Sequence, residues 1–176
     1  MKEEIIYVVD EKDKFVRKAT RQEVREKALL HRTSRVIIKN NKDKLLIQKR
    51  SKTKDVNPGL WDVGIAETVI EGGSYEGTAM RGLLEELGIT GISNIQLMHS
   101  LLFKIRFSSP NHNVFLKVYL LKYNGKIEIQ TEEIDQVKFV TFDEIKNLIE
   151  NKSFSPARKL VFKKYLEWQN KAQKND

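Results

Sequence analysis

GGSYEGTAMRGLLEELGIT, residues 72–90, is the stretch on which the reading of this chain turns. On a helix advancing about 100° per residue, residues 75–87 place Met80, Leu83, Leu84 and Leu87 within an arc of roughly 100°. Glu85 and Glu86 fall on the opposite side, flanking Gly82, with Thr78 beside them and Arg81 at the edge of the acidic face. Ser74 is placed to cap the first turn, and Gly88 suits the left-handed position that ends a helix. Two features are unusual for a plain solvated face. Glycine inside a helix costs about 1 kcal/mol relative to alanine, and acids near the C-terminal end oppose the macrodipole by some tenths of a kcal/mol each. A face carrying both costs suits a cation or a ligand, while the plainer reading is the wet side of an amphipathic helix.

Outward from this helix, local chemistry predicts the other elements. EIIYVVD and KFVRKAT flank the turn EKDK as a hairpin. Thr20 with Glu23 three residues on is a capping-box pattern for a short helix. SRVIIK and KLLIQKR join through NNKD as a second hairpin. Asn57-Pro58-Gly59 marks a loop before a strand over 61–69. After the helix, NIQLMHSLLFKI and NVFLKVYLLKY read as long strands, the first carrying His99 and the second preceded by a turn with His112; KIEIQ and QVKFVTF read as shorter ones. Thr141 and Glu144 form another capping box, and Ser155 before Pro156 opens a final helix with Leu160, Val161, Tyr165 and Trp168 on one side. Helices among mixed strands with several hairpins predict an α+β fold, an α/β/α sandwich.

The length of 176 residues fits one domain. Its parts would be a hairpin and short helix over 1–30, a core over 31–151 and a C-terminal helix over 152–176. No cysteine is present, which excludes disulfides and thiolate chemistry and fits a cytoplasmic protein. The first residues carry acids and only a short apolar run, which excludes a signal peptide, and no apolar run is long enough to span a bilayer. A net charge of +8 favours phosphates, nucleotides or RNA as partners, although the bases are spread along the chain. The pattern says nothing of oligomeric state.

WDVGIAETVIEGGSYEGTAMRGLLEELGI, residues 61–89, resembles the Nudix box, whose usual form is G-x5-E-x7-R-E-U-x-E-E-x-G-U with U a bulky aliphatic. Arg81, Leu83, Glu85, Glu86, Gly88 and Ile89 match. The flanks HRTSRVIIKNNKDKLLIQKRSKTKDVNPGLWD and EEIDQVKFVTFDEI also resemble that fold, so the likeness spans about residues 5 to 165. It is nearest the branch resembling isopentenyl-diphosphate isomerase, with its N-terminal hairpin. The box's first glycine is Glu67 here, its first glutamate is Gly73, and the glutamate after the arginine is Gly82.

The resemblance implies a Nudix-like fold and magnesium- or manganese-dependent hydrolysis of a nucleoside diphosphate linked to another group. It carries metal ligation onto Glu85 and Glu86 and keeps Arg81, which loses its usual acidic partner at position 73. Glu67 is a further candidate metal ligand, as are Glu71 on the approach to the helix and Glu132 or Glu133 from a later loop, none of which the sequence places. Arg50 and Lys54 match basic positions that contact the substrate diphosphate, with Lys49 and Lys52 pointing elsewhere. Isomerase chemistry is disfavoured: His31 matches one family histidine, but the cysteine position reads Ala66 and the next histidine position Thr68. His31 then reads as a hydrogen-bonded residue at a strand entrance, and Trp61 as core or pocket wall. The alternative function is a module that binds a nucleotide, diphosphate or RNA without turnover.

Overall fold

Turn chemistry sets the first element pair. β1 (Ile5–Val9) runs antiparallel to β2 (Phe15–Thr20), and the Asp10 carboxylate closes the turn by accepting the backbone N–H of Lys12 and Lys14. Thr20 caps α1 (Arg21–Glu26) by accepting from the Glu23 N–H. The second half of that box is not made, because the Glu23 carboxylate faces Arg17 and Lys27 instead. Ile6, Val8, Ala19 and Val24 bury together under the hairpin and α1. The computed structural model describes residues 3–54, 57–154 and 156–172.

β3 (His31–Lys39) and β4 (Leu45–Arg50) follow, joined by a turn in which the Asn40 side chain accepts from Lys42 and Lys44. The single strand predicted over 61–69 is two strands. β5 (Trp61–Val63) pairs with β4 and β6 (Ile65–Thr68) with β3. Gly64 between them has φ +65°, a conformation open to glycine that redirects the chain from one partner to another. α2 (Tyr75–Leu87) is the predicted helix. Its buried stripe is displaced from the predicted one. Tyr75, Thr78, Ala79, Gly82, Leu83 and Leu87 are buried, whereas Leu84 is 52% exposed.

The run predicted as one strand after α2 begins as a helix. Ser93 caps α3 (Asn94–His99), accepting from the Gln96 N–H, and β7 (Leu101–Ser109) starts two residues after it ends. A serine cap outweighed the strand propensity of isoleucine. His99 therefore ends a helix and lies in no strand, and His112 opens β8 (His112–Lys122), which pairs with β7. KIEIQ forms no strand; the reason lies at the site described below. β9 (Ile134–Val140) pairs with β4. α4 (Phe142–Glu150) carries the complete Thr141–Glu144 capping box, and α5 (Pro156–Ala172) ends the described chain, burying Val161, Phe162 and Tyr165. The predicted cap Ser155 lies outside the described residues.

The fold is α+β with a mixed sheet and the added N-terminal hairpin, as predicted. Hydrogen bonding orders the larger sheet β5-β4-β3-β8-β7, with β6 on β3 and β9 on β4. Two compact units are present. Unit 1 comprises 1–36, 66–84 and 90–119; unit 2 comprises 37–65, 85–89 and 120–176. Val36, Ala79, Leu83, Leu97, Val114 and Val118 are core residues of unit 1, and Ile38, Leu46, Ile47, Leu87, Ile134 and Tyr165 of unit 2. Among the described residues, no helix is long and apolar enough to cross a membrane.

Candidate functional site

In unit 1, α2 starts as its sequence demands: the Ser74 hydroxyl accepts from the Gly77 N–H at 3.0 Å. In its first turn, Glu76 accepts from the Tyr119 hydroxyl at 2.7 Å and from the Lys117 ammonium at 3.1 Å. Burial pushes the Glu76 carboxyl up, but these donors outweigh it and hold it below the ordinary carboxylate value.

Arg81 does have an acidic partner. Its Nη2 and Nε donate to Glu67 Oε1 at 2.6 and 3.1 Å, and both side chains are about three-quarters buried, at 28% and 24% exposure. The usual partner position 73 is glycine, as the sequence shows, and the pairing is made from Glu67 instead. Glu67, at the end of β6, supplies the carboxylate that position 73 lacks. The space at 73 is also tight for any side chain, since a Cβ on Gly73 would meet the Ile70 carbonyl oxygen at 3.1 Å. With its Oε1 committed to a guanidinium, Glu67 is placed as the anchor of Arg81.

In unit 2, the last turn of α2 presents Glu85, exposed, and Glu86, half-buried. Gly88, at φ +65°, ends the helix in the left-handed conformation. The carbonyls exposed at this end find partners in the segment that reads as KIEIQ. Leu87 accepts from the Glu128 N–H at 2.9 Å and Glu86 from the Gln130 N–H at 3.1 Å. That is why the segment pairs with no strand: its N–H groups cap a helix, satisfying carbonyls that would otherwise lie unpaired.

From Gln130 the chain turns, and its carbonyl accepts from Glu133 and Ile134 at 3.0 and 2.9 Å. This turn brings Glu133 to Lys54, whose ammonium sits 2.7 and 2.5 Å from the two carboxylate oxygens. The Ser51 N–H donates to the Glu133 carbonyl at 3.0 Å, fastening the same two loops through the backbone. Arg50 ends β4 opposite Ile134, and its carbonyl accepts from Gly59 in the Pro-Gly turn at 3.1 Å. A hydrogen-bonded path thus runs from the Glu86 end of α2 through Gln130 and Glu133 to Lys54.

Among the described residues, no three His, Asp or Glu side chains gather into a group that could hold a metal ion. The adjacent carboxylates Glu85 and Glu86 suit a partial shell for a hard cation. Magnesium commonly takes one or two protein carboxylates and completes its octahedron with waters and substrate phosphates. Glu85 and Glu86, neighbours in the last turn of α2, are the two carboxylates that would hold such an ion, with water and phosphate oxygens in its remaining positions. Sequence reasoning had no access to Gln130, which acts through its backbone alone, and left Glu133 as one of several loop acids.

His31 is buried at the start of β3, with Nδ1 2.8 Å from the Leu29 carbonyl oxygen, the hydrogen-bonded strand-entrance residue the sequence suggests. Burial pushes its imidazole below the ordinary value of 6.5. Trp61 is half-buried beneath the Lys138 ammonium, 4.8 Å from the ring centroid.

Comparison with known proteins identifies the family and the fold. The sequence model of the NUDIX domain family matches residues 29–163. A Pseudomonas aeruginosa protein described as the uncharacterized Nudix hydrolase PA4841 is 31% identical over 137 residues, 78% of each chain. DR0079 from Deinococcus radiodurans has a TM-score of 0.75 at 22% identity, covering 92% of this chain and 99% of that one. A bifunctional NMN adenylyltransferase/ADP ribose pyrophosphatase from Francisella tularensis, complexed with AMP and a manganese ion, has a TM-score of 0.60 at 17% identity, over 77% of this chain and 41% of that one.

Proposed function

Because the chain belongs to the NUDIX domain family, we propose that it hydrolyses the diphosphate linkage of a nucleoside diphosphate joined to another group, in the cytoplasm and with magnesium or manganese. The observation that carries this reading is the path from the carboxylate end of α2 to the Lys54 ammonium. This path supports the reading by tying the helix turn that carries Glu85 and Glu86 to the loop that carries Lys54. In this reading Glu85 and Glu86 hold the ion, while Lys54 and Arg50 take the diphosphate oxygens. Arg81, braced by Glu67, fixes the helix that presents the doublet. A divalent ion bound there supplies Lewis acidity, polarising the phosphoryl oxygens and acidifying an attacking water. An ADP-sugar is the first substrate to try, since a structural neighbour is described as an ADP ribose pyrophosphatase.

A second reading, a domain that binds a nucleotide without cleaving it, is favoured by one observation. Gly82 stands where the Nudix box carries a glutamate, and it is buried.

One experiment separates the two. The protein is incubated with magnesium or manganese and a panel of ADP-sugars, dinucleoside polyphosphates and capped RNA, and products are separated by chromatography. Hydrolysis that falls by about 10²-fold or more in Glu85→Gln and Glu86→Gln is the expected result, the scale for losing an activating group. Turnover undiminished in both variants overturns the assignment. Tight binding with no product selects the second reading.

A further inference from the structure

A second cluster in unit 1 is built around Asp13. Asp13, at the tip of the β1–β2 hairpin, has a side chain only 9% exposed, and its carboxylate receives three donors. Arg32 Nε lies 2.6 Å from Oδ1; on Oδ2 sit the Lys104 ammonium at 2.5 Å and the Tyr75 hydroxyl at 3.0 Å. Arg32 Nη2 also donates to the Asp13 carbonyl at 2.5 Å.

The donors belong to β3, β7 and α2, whereas the acid belongs to a hairpin that forms its own two-stranded sheet. Lys104 stands directly opposite Lys117 across the β7–β8 ladder. Like charges so placed destabilise a sheet unless anions compensate them; Glu76 compensates Lys117, and Asp13 compensates Lys104. Arg106, next along the same face of β7, is paired with Glu11 of the same tip. Around the donors lie aromatic faces: Lys104 is 4.8 Å from the Phe115 centroid, and Lys117 is 4.8 Å from that of Tyr75. Converging guanidinium, ammonium and hydroxyl donors are the means by which proteins hold a phosphate.

We propose that Arg32, Lys104 and the Tyr75 hydroxyl form a seat for the phosphate group of a small phosphorylated ligand, and that Asp13 fills this seat when the ligand is away. The hairpin turn does not depend on the Asp13 carboxylate. Asp10 closes the turn through Lys12 and Lys14, and the Asp13 N–H donates to the Asp10 carbonyl at 2.9 Å. Rotating one side chain therefore frees Arg32 Nε, the Lys104 ammonium and the Tyr75 hydroxyl, with the turn intact and Arg32 Nη2 still on the Asp13 carbonyl. Occupancy by Asp13 weakens the apparent affinity in proportion to the time the seat is filled, tenfold if it is open about one-tenth of the time.

The test titrates the full chain, without metal, with inorganic phosphate and with AMP by calorimetry. Asparagine tolerates the left-handed backbone of position 13 (φ +59°), so Asp13→Asn keeps the turn while removing the competing charge. Asp13→Asn is expected to bind phosphate about tenfold more tightly than wild type, and Asp13→Asn with Arg32→Gln to lose that gain. A larger gain with AMP than with phosphate identifies a nucleotide as the source of the group; equal gains identify free phosphate. A folded Asp13→Asn protein with no gain, or a gain that survives Arg32→Gln, overturns the proposal and leaves Asp13 as a fastening of the hairpin. Should Asp13→Asn not fold, 31P line broadening of phosphate by wild type serves instead. It must be reduced in Lys104→Gln, and its persistence there overturns the proposal equally.

Discussion

The middle and the C-terminal end of α2 are held by different forces. At Arg81, in unit 1, the tie is a charged side-chain pair with Glu67, fourteen positions away in sequence. Beyond Leu84, in unit 2, the tie is made of backbone: carbonyls of Glu86 and Leu87 meet N–H groups of Gln130 and Glu128. The first requires specific residue types but not specific positions, since any carboxylate that reaches the guanidinium serves. The second requires an extended segment in the right place and is nearly blind to residue type. This difference explains how the chain can carry glycine at 73 and still anchor Arg81. It also explains how a run with strand-like alternation becomes a helix cap.

The largest test of the contrast is at Gly88. Its φ of +65° disfavours any side chain, and a Cβ there would meet the Glu128 Cβ at 3.1 Å. Gly88→Val is expected to lower the unfolding free energy by about 2 kcal/mol, measured by urea denaturation. A loss below about 0.5 kcal/mol would mean that the backbone tie contributes little. Next in size are two double-mutant cycles. Glu67→Gln with Arg81→Gln should show coupling of about 1 kcal/mol, because two N–H donors share one carboxylate oxygen in a largely buried setting. Lys54→Gln with Glu133→Gln should show about 0.3 kcal/mol, as expected for a more exposed pair on a flexible stem. Equal couplings would erase the distinction between a fixed anchor and an exchangeable contact.

The smallest effect concerns pH and belongs to unit 1. The His31 imidazole is depressed below 6.5 when folded, so the unfolded chain takes up the proton first. Its contribution is present above pH 6.5 and is lost as pH falls toward the depressed folded value. Wild type should therefore lose stability between pH 7.5 and 5.5, and His31→Gln should lose less. Identical slopes for the two proteins would remove His31 from this account.

Several elements were legible because their determinants are local. The Thr141–Glu144 box, the Ser74 cap, the Asn40 turn and the left-handed Gly88 each depend on residues within four positions. Errors arose where one pattern fits two structures. Ser93 turned an apolar run into α3, and Gly64 divided one predicted strand between two partners. The buried face of α2 was misjudged at Leu84, because a helical wheel ranks side chains by angle and cannot know where neighbouring elements stop. The acidic doublet and the two basic candidates were visible as residue types in a familiar spacing, but their partners were not.

From the sequence alone came the α+β class, the hairpins, α2 with its acidic end, and the likeness to the Nudix superfamily, which the family match bears out at that level. Tertiary structure decided which charges meet. Glu67 reaches Arg81, Glu133 reaches Lys54 across seventy-nine positions, and Asp13 reaches Lys104 across ninety-one. The physical reason is one of range. Caps and turns are closed by hydrogen bonds a few residues long and are written in adjacent letters. An ion pair between distant segments exists only once strand order and register have brought those segments together.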